Sequence, residues 1–315
     1  MQKTLRASVL PAVALAVVAM SSVACAQNMR CATDKDTISV TVGDRALLTY
    51  RSTPTPLKVY VKELYTPGGR QVLLDSPHDH IHHHALMYAV GAGGVDFWAD
   101  EPKDKVGKQR PRSDAAARVT EDGDRRRATI EHTLDWTGPD QKPILDERRR
   151  IVVYDPKDVG ATLLTWSSLL RPAEGKDSVK LSPARHYFGL GLRPVRAMDN
   201  GTFLNPTGQA GETVRGTEKL VRADWCAYHA AIDGKPVTVA MFDHPENPRH
   251  PATWFTMTAP FGYLAATLNL HREPMTLQKG QTLGLTYGVA LWDGKRGAEE
   301  ITTTYRRWLT LAAKP

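Results

Sequence analysis

Cysteine is scarce in this chain. Three in 315 residues are too few for a disulfide-stapled scaffold. Short catalytic signatures are missing as well. There is no serine nucleophile elbow, no phosphate-binding P-loop and no zinc-protease helix motif. Past residue 20 no stretch approaches the ~20 apolar residues that a membrane-spanning helix needs. Charge of one sign does not dominate either, the formal net charge being +7. The basic triplets Arg125-Arg126-Arg127 and Arg148-Arg149-Arg150 sit beside acids and flank apolar stretches. They read as solvated strand edges kept from aggregating by charge. No aromatic-basic recognition motif accompanies them, so no nucleic-acid partner is expected.

What is present starts with an export signal. Lys3 and Arg6 precede an apolar stretch from Ala7 to Met20, and Ala24-Cys25-Ala26 offers a cleavage site. Residues 1–26 are expected to be a signal peptide, placing the mature chain in a periplasm or outside the cell. Ser22-Val23-Ala24-Cys25 leaves a lipid anchor on Cys25 as the competing outcome. Cleavage leaves Cys31 and Cys226, which permit one disulfide in an oxidising compartment; two separate thiols are the alternative.

Alternation of apolar and polar residues, the mark of a half-buried strand, recurs along the chain. It is clean over Thr37 to Val42 and over Leu57 to Lys62. Further strand candidates run from Arg127 to Leu134, Arg149 to Tyr154, Ala161 to Leu169, Val237 to Phe242, Phe261 to Leu270 and Thr282 to Leu291. Pro67-Gly68-Gly69, Asp122-Gly123-Asp124 and Asp233-Gly234 are turn signals between them. Helical spacing occurs once, from Ala298 to Ala312, where Ile301, Tyr305, Trp308 and Leu309 share a face. Residues 100–113 read as a long surface loop. The expected fold is all-β, a large two-sheet sandwich over residues 27–315 forming one domain, with a C-terminal helix packed outside.

Histidine is concentrated where the rest is ordinary. Five of eleven histidines fall in His78-Asp79-His80-Ile81-His82-His83-His84. In an extended segment His78, His80, His82 and His84 would face one way. Three outcomes stay open. His80 and His82 could ligate one transition metal ion, with His186, His244 or His271 as a third ligand. One or two imidazoles could act as acid and base without metal, since histidine titrates near neutrality. Or the segment is a solvated loop.

Asp96 and Trp98 follow a glycine-rich turn that would bring them back beside the histidines, Trp98 as a stacking platform or a core residue. Asp243 and His244 open a proline-rigidified loop after an apolar strand, with Asp243 placed to orient an imidazole or to cap a turn. Arg193 ends the His186 to Leu192 stretch and could clamp a carboxylate or a sugar hydroxyl.

Taken together, Asp79-His80-x-His82-His83, Gly94 to Trp98, Phe188-Gly189-Leu190 before Arg193, Gly208-x-x-Gly211-Glu212, and Phe242 to Arg249 with Trp254 resemble a bacterial family labelled methane oxygenase PmoA. The motifs span residues 40 to 310. The sequence departs from the pattern at His84, where Arg is usual. The resemblance implies an exported sandwich in the style of sugar mutarotases and lyases rather than a membrane oxygenase. On that basis His80, His82, His83, Asp96 and His244 are the expected catalytic set. Trp98, Arg193, Glu212, Asp243 and Arg249 are expected to bind substrate, a small molecule or oligosaccharide. A metal-dependent oxidoreductase or hydrolase and a non-catalytic glycan binder are the alternatives.

Overall fold

The computed structural model describes residues 28–54, 57–123, 125–182 and 185–312. The expected signal peptide and Cys25 lie outside them.

Alternation is converted directly into sheet. In Thr37–Val42 the side chains of Ile38, Val40 and Val42 are buried and the residues between them are not. A two-residue turn at Gly43, which takes φ +58°, returns the chain as Arg45–Arg51 with Val42 opposite Arg45. The described residues continue this hairpin into a ten-stranded antiparallel sheet. It runs from Met29–Thr33 through Leu86–Ala89, Gly189–Leu192, Tyr263–Thr267 and Thr253–Met257 to Glu218–Arg222 and Glu212–Arg215.

A second, nine-stranded sheet is built around longer strands. Lys235–Asp243, Leu283–Asp293, Thr162–Pro172, Pro143–Tyr154 and Arg125–Thr137 lie side by side in that order. Inner faces of both sheets meet in one continuous apolar core that includes Tyr50, Leu86, Trp136, Trp166, Tyr228 and Val289. The fold is therefore a β-sandwich of two large sheets, with a smaller four-stranded sheet of Met275–Gln278, Ser178–Ser182, Gly91–Ala92 and Val95–Asp96 among the described residues.

The C-terminal helix Ala298–Ala312 lies on the outer face of the second sheet. Ile301, Tyr305 and Trp308 bury its apolar stripe against Phe242, Trp225 and Trp292, each burial being worth ~1.5–3 kcal/mol. Trp308 Nε1 donates to Thr165 Oγ1 at 2.9 Å and Tyr305 Oη to the Asp243 carbonyl at 3.2 Å.

Three expectations need correction, and one open alternative is decided. The strand anticipated from Leu57 starts only at Tyr60, because Lys58 is drawn inward to an ion pair with Asp100. The expected surface loop over residues 100–113 contains the strand Lys108–Pro111, and Asp100 and Gln109 within it are buried.

The second arginine triplet is not uniformly solvated. Arg148 is exposed, whereas Arg149 points inward, as strand alternation requires. Its guanidinium donates to both Glu147 oxygens at 2.9 and 2.8 Å and to the Val59 carbonyl at 2.7 Å, 4.5 Å above the Trp166 ring.

Cys31 and Cys226 are both free. Met29–Thr33 packs against the hairpin of Ala116–Asp122 and Arg125–Thr137, while Cys226 lies on Trp225–Ile232, five strands away across the second sheet. At ~4.8 Å per strand that is about 24 Å, against the ~7 Å limit between bridged Cα atoms.

Candidate functional site

The histidine run does not extend. Asp75 and His84 pair as an isolated antiparallel bridge, and the chain between them folds on itself. Ser76 N donates to His83 O at 2.9 Å, Ser76 Oγ to Ile81 O at 2.7 Å, and His83 N to His80 O at 2.9 Å. Two successive tight turns replace the period of two, so the expected common face of His78, His80, His82 and His84 does not form. His78 is exposed and His84 is turned into the interior.

His80, His82 and His83 do come together. Their ring centroids lie 5.8 Å (His80 to His82), 4.8 Å (His80 to His83) and 4.6 Å (His82 to His83) apart. They form one wall of a pocket of about 300 Å³. Strands of the first sheet make the other wall, through Phe255, Met257 and Tyr263, with Phe261 edge-on to His80 at 4.6 Å. Gly191 is bare behind this wall because a Cβ there would sit 2.0 Å from the Tyr263 hydroxyl.

Tyr187, Arg215 and Glu218 close the pocket. Glu218, only 6% exposed, faces His186 Nε2 at 3.2 Å and takes Arg215 Nη2 at 2.6 Å.

The three imidazoles differ electrostatically. Burial pushes the His83 pKa down to about 2, with the neighbouring His82, His80 and Arg193 adding to the effect. His83 is therefore neutral at physiological pH. Burial also lowers His82, helped by Lys58 and His80. His80 is the accessible one, at 34% side-chain exposure. The Asp79 carboxylate lies 3.3 Å from its Nδ1, a charge contact without hydrogen-bond alignment. Partial burial opposes ionisation of Asp79, yet a backbone hydrogen bond, His80 and Arg196 hold its pKa down at about 2.

The other expected site residues lie elsewhere. Asp96 caps a turn, its Oδ1 accepting from Trp98 N at 2.6 Å and Ala99 N at 3.1 Å. Trp98 is 2% exposed and stacks on Phe188 at 4.9 Å, a core position rather than a platform. Arg193 is fully buried behind the pocket, its guanidinium 3.6 Å over the Phe261 ring.

Asp243 organises its own loop, accepting from Asn247 Nδ2 at 2.7 Å, His250 Nδ1 at 2.7 Å and Ala252 N at 2.8 Å. His244 meets Trp308 of the C-terminal helix edge-on at 5.7 Å, on the other sheet. Arg249 donates to the Leu268 carbonyl. Glu212 is exposed and paired with Arg272 at 2.7 Å. His84, where the motif departs, faces Asp75 and Asp100 and contributes nothing to the pocket. Among the described residues no group of three His, Cys, Asp or Glu side chains is placed to hold a metal ion, so the ligand set expected from His80 and His82 finds no third member.

Glu218, Arg215, Phe255 and Phe261 are among the pocket residues that sequence reasoning missed. None belongs to a motif. Arg215 and Glu218 stand at facing strand ends of the first sheet, Phe255 in the middle of Thr253–Met257, and Phe261 in the turn before Tyr263–Thr267.

Residues 37–306 match the profile of a family described as a family of unknown function, DUF6807. The chain belongs to that family. This overturns the resemblance to the methane oxygenase PmoA family, whose profile the chain does not match. No curated protein matches this DUF6807 chain.

Among solved structures it is similar to the GH36 α-galactosidase AgaA of Geobacillus stearothermophilus, at 12% identity over 85% of this chain and 41% of that one, with TM-score 0.45. The galactosidase domain of the α-galactosidase-sucrose kinase AgaSK matches at 12% identity over 88% and 43%, with TM-score 0.49. The Slr1438 protein of Synechocystis sp. PCC 6803 matches at 9% identity over 84% and 96%, with TM-score 0.37. The chain spans about two fifths of the galactosidases' length.

Proposed function

We propose that this exported chain binds a sugar ring in the pocket of His80, His82 and Glu218 and carries out acid-base chemistry on it. The observation that carries the reading is the convergence of two kinds of surface. Aromatic faces and edges from Phe255, Phe261 and Tyr187 line the same space as His80 and Glu218. Sugar rings need both, apolar contact for their C–H faces and polar groups for their hydroxyls. The volume of about 300 Å³ is at the small end of ligand pockets and suits one ring with its neighbours outside.

Within that pocket the roles divide by environment. His83, neutral and packed between His80, His82 and Tyr263, fixes the positions of the other two. His80 is the accessible proton carrier, beside an ionised Asp79 that Arg196 anchors at 2.7 Å. Glu218, held by Arg215 and facing His186 Nε2, accepts hydrogen bonds from ring hydroxyls. Proton transfer by a positioned imidazole contributes ~10²–10⁴-fold to a rate.

The test is calorimetric titration with neutral mono- and oligosaccharides, followed by product analysis on any that bind. Glu218→Gln should weaken binding about tenfold, the loss of one charge-assisted hydrogen bond. His80→Ala should abolish product while leaving binding within a few-fold. No saccharide bound by the wild type, or full turnover by His80→Ala, would remove the assignment.

A further inference from the structure

A second concavity lies far from the histidines, on the outer side of the second sheet where the strand Arg125–Thr137 begins and the C-terminal helix ends. Its volume is about 400 Å³. Arg125, Arg126 and Arg127 reach it from the strand and Arg307 from the helix, facing two carboxylates, Asp122 and Asp158.

Not all of these charges are spent within the fold. The Arg126 Nε is paired with Glu121 at 2.8 Å, and Arg127 Nε donates to Thr120 Oγ1 at 3.3 Å. Arg125 and Arg307 are exposed, and their side chains have no hydrogen bond or ion pair among the described residues. Charged gatekeepers at a strand edge account for the triplet. They do not account for Arg307, which comes from a different element and faces the same space. With Arg126 taken up by Glu121, the guanidinium groups of Arg125, Arg127 and Arg307 face the carboxylates of Asp122 and Asp158; three against two leave the groove positive, and the carbonyl end of the helix offsets part of that charge.

We propose that this groove binds a phosphate or sulfate ester of sugar size. Guanidinium groups on two sides match the oxygens of a tetrahedral oxyanion, which arginine engages through paired N–H groups. The space is too large for a bare ion and accommodates the ring that carries it. This assignment is independent of the histidine pocket.

Isothermal titration of the whole protein with glucose 6-phosphate and glucose 6-sulfate tests it, with glucose and inorganic phosphate as comparisons, at about 20 mM and about 300 mM salt. One of the esters should bind at a single site at low salt, at least tenfold more tightly than inorganic phosphate, and weaken at high salt. Arg125→Gln combined with Arg307→Gln should weaken it at least tenfold without moving the melting temperature. His80→Ala should leave it unchanged. Absence of saturable binding by either ester, or equal binding by the double variant, would overturn the proposal. Inorganic phosphate binding as tightly as the better ester would overturn the choice of an ester.

Discussion

The imidazole of His84 is held between two carboxylates, its Nδ1 3.1 Å from Asp75 and its Nε2 2.6 Å from Asp100. Both nitrogens can donate only when the ring is protonated. Burial opposes that charge, and the two carboxylates outweigh burial, so the pKa is raised. Lys58 pairs with Asp100 on its other oxygen, and Tyr60 Oη donates to Asp75 at 3.0 Å. A buried chain of alternating charge thus ties down the end of the loop that carries His80, His82 and His83.

Replacing His84 by Gln should destabilise the protein by about 3–5 kcal/mol, the usual cost of leaving buried charge unpaired. Because the folded pKa is raised, the stabilisation by His84 is complete below the ordinary imidazole value of about 6.5 and is lost as pH rises through the folded value. Melting temperatures between pH 6 and 9 should fall for the wild type and stay flatter for His84→Gln. Parallel curves would show that His84 is uncharged.

His83 works in the opposite direction. Its folded pKa of about 2 lies below the unfolded value, so its contribution is fully present above pH ~6.5 and declines as pH falls. At pH 5 the loss is about 2 kcal/mol. His132, lowered to about 4 mainly by burial, adds in the same sense. Denaturant melts at pH 7 and pH 5 should therefore converge in His83→Leu relative to wild type. An unchanged difference between the two pH values would assign the acid sensitivity elsewhere.

The Glu147–Arg149 pair is buried between the sheets, with Trp136 Nε1 also donating to Glu147 at 2.8 Å. Arg149→Met alone strands a carboxylate in the core and should cost about 3–5 kcal/mol in the urea midpoint. Adding Glu147→Gln should recover part of the loss. A double variant worse than the single would mean that the arginine acts by filling space rather than by pairing.

Free thiols at Cys31 and Cys226 have a direct chemical consequence. Cys226 is fully buried and burial raises its thiol pKa far above the ordinary value, so it should react with a thiol reagent only after unfolding. Reductant should leave the melting temperature unchanged. A shift of several degrees on reduction would reveal a bridge that stabilises the fold.

How far the site could be foreseen depends on sequence separation. Neighbours in the chain were enough to single out the loop at His80, His82 and His83, because five histidines in seven positions are unusual whatever the backbone does. They were not enough to orient it. Two tight turns, imposed by the Asp75–His84 bridge, cancelled the alternation that an extended strand would have shown. Glu218 and Phe255 join these histidines from strands more than 130 residues further on, and no local pattern marks them. Trp98 and Asp243 drew attention for residue type, yet a tryptophan and a carboxylate serve the core and a turn as readily as a ligand.

Local chemistry by itself determined the long alternating strands such as Thr37–Val42 and the helix at Ala298–Ala312 with their inward apolar faces, since periods of 2 and 3.6 follow from backbone geometry and the cost of exposing apolar surface. Tertiary structure alone decided which strands pair, that Cys31 and Cys226 stand on different sheets, and that Arg149 and His84 are buried against carboxylates. It also decided which polar groups share a pocket. Those outcomes depend on contacts between distant segments, whose energies exist only once the two sheets have closed on one core.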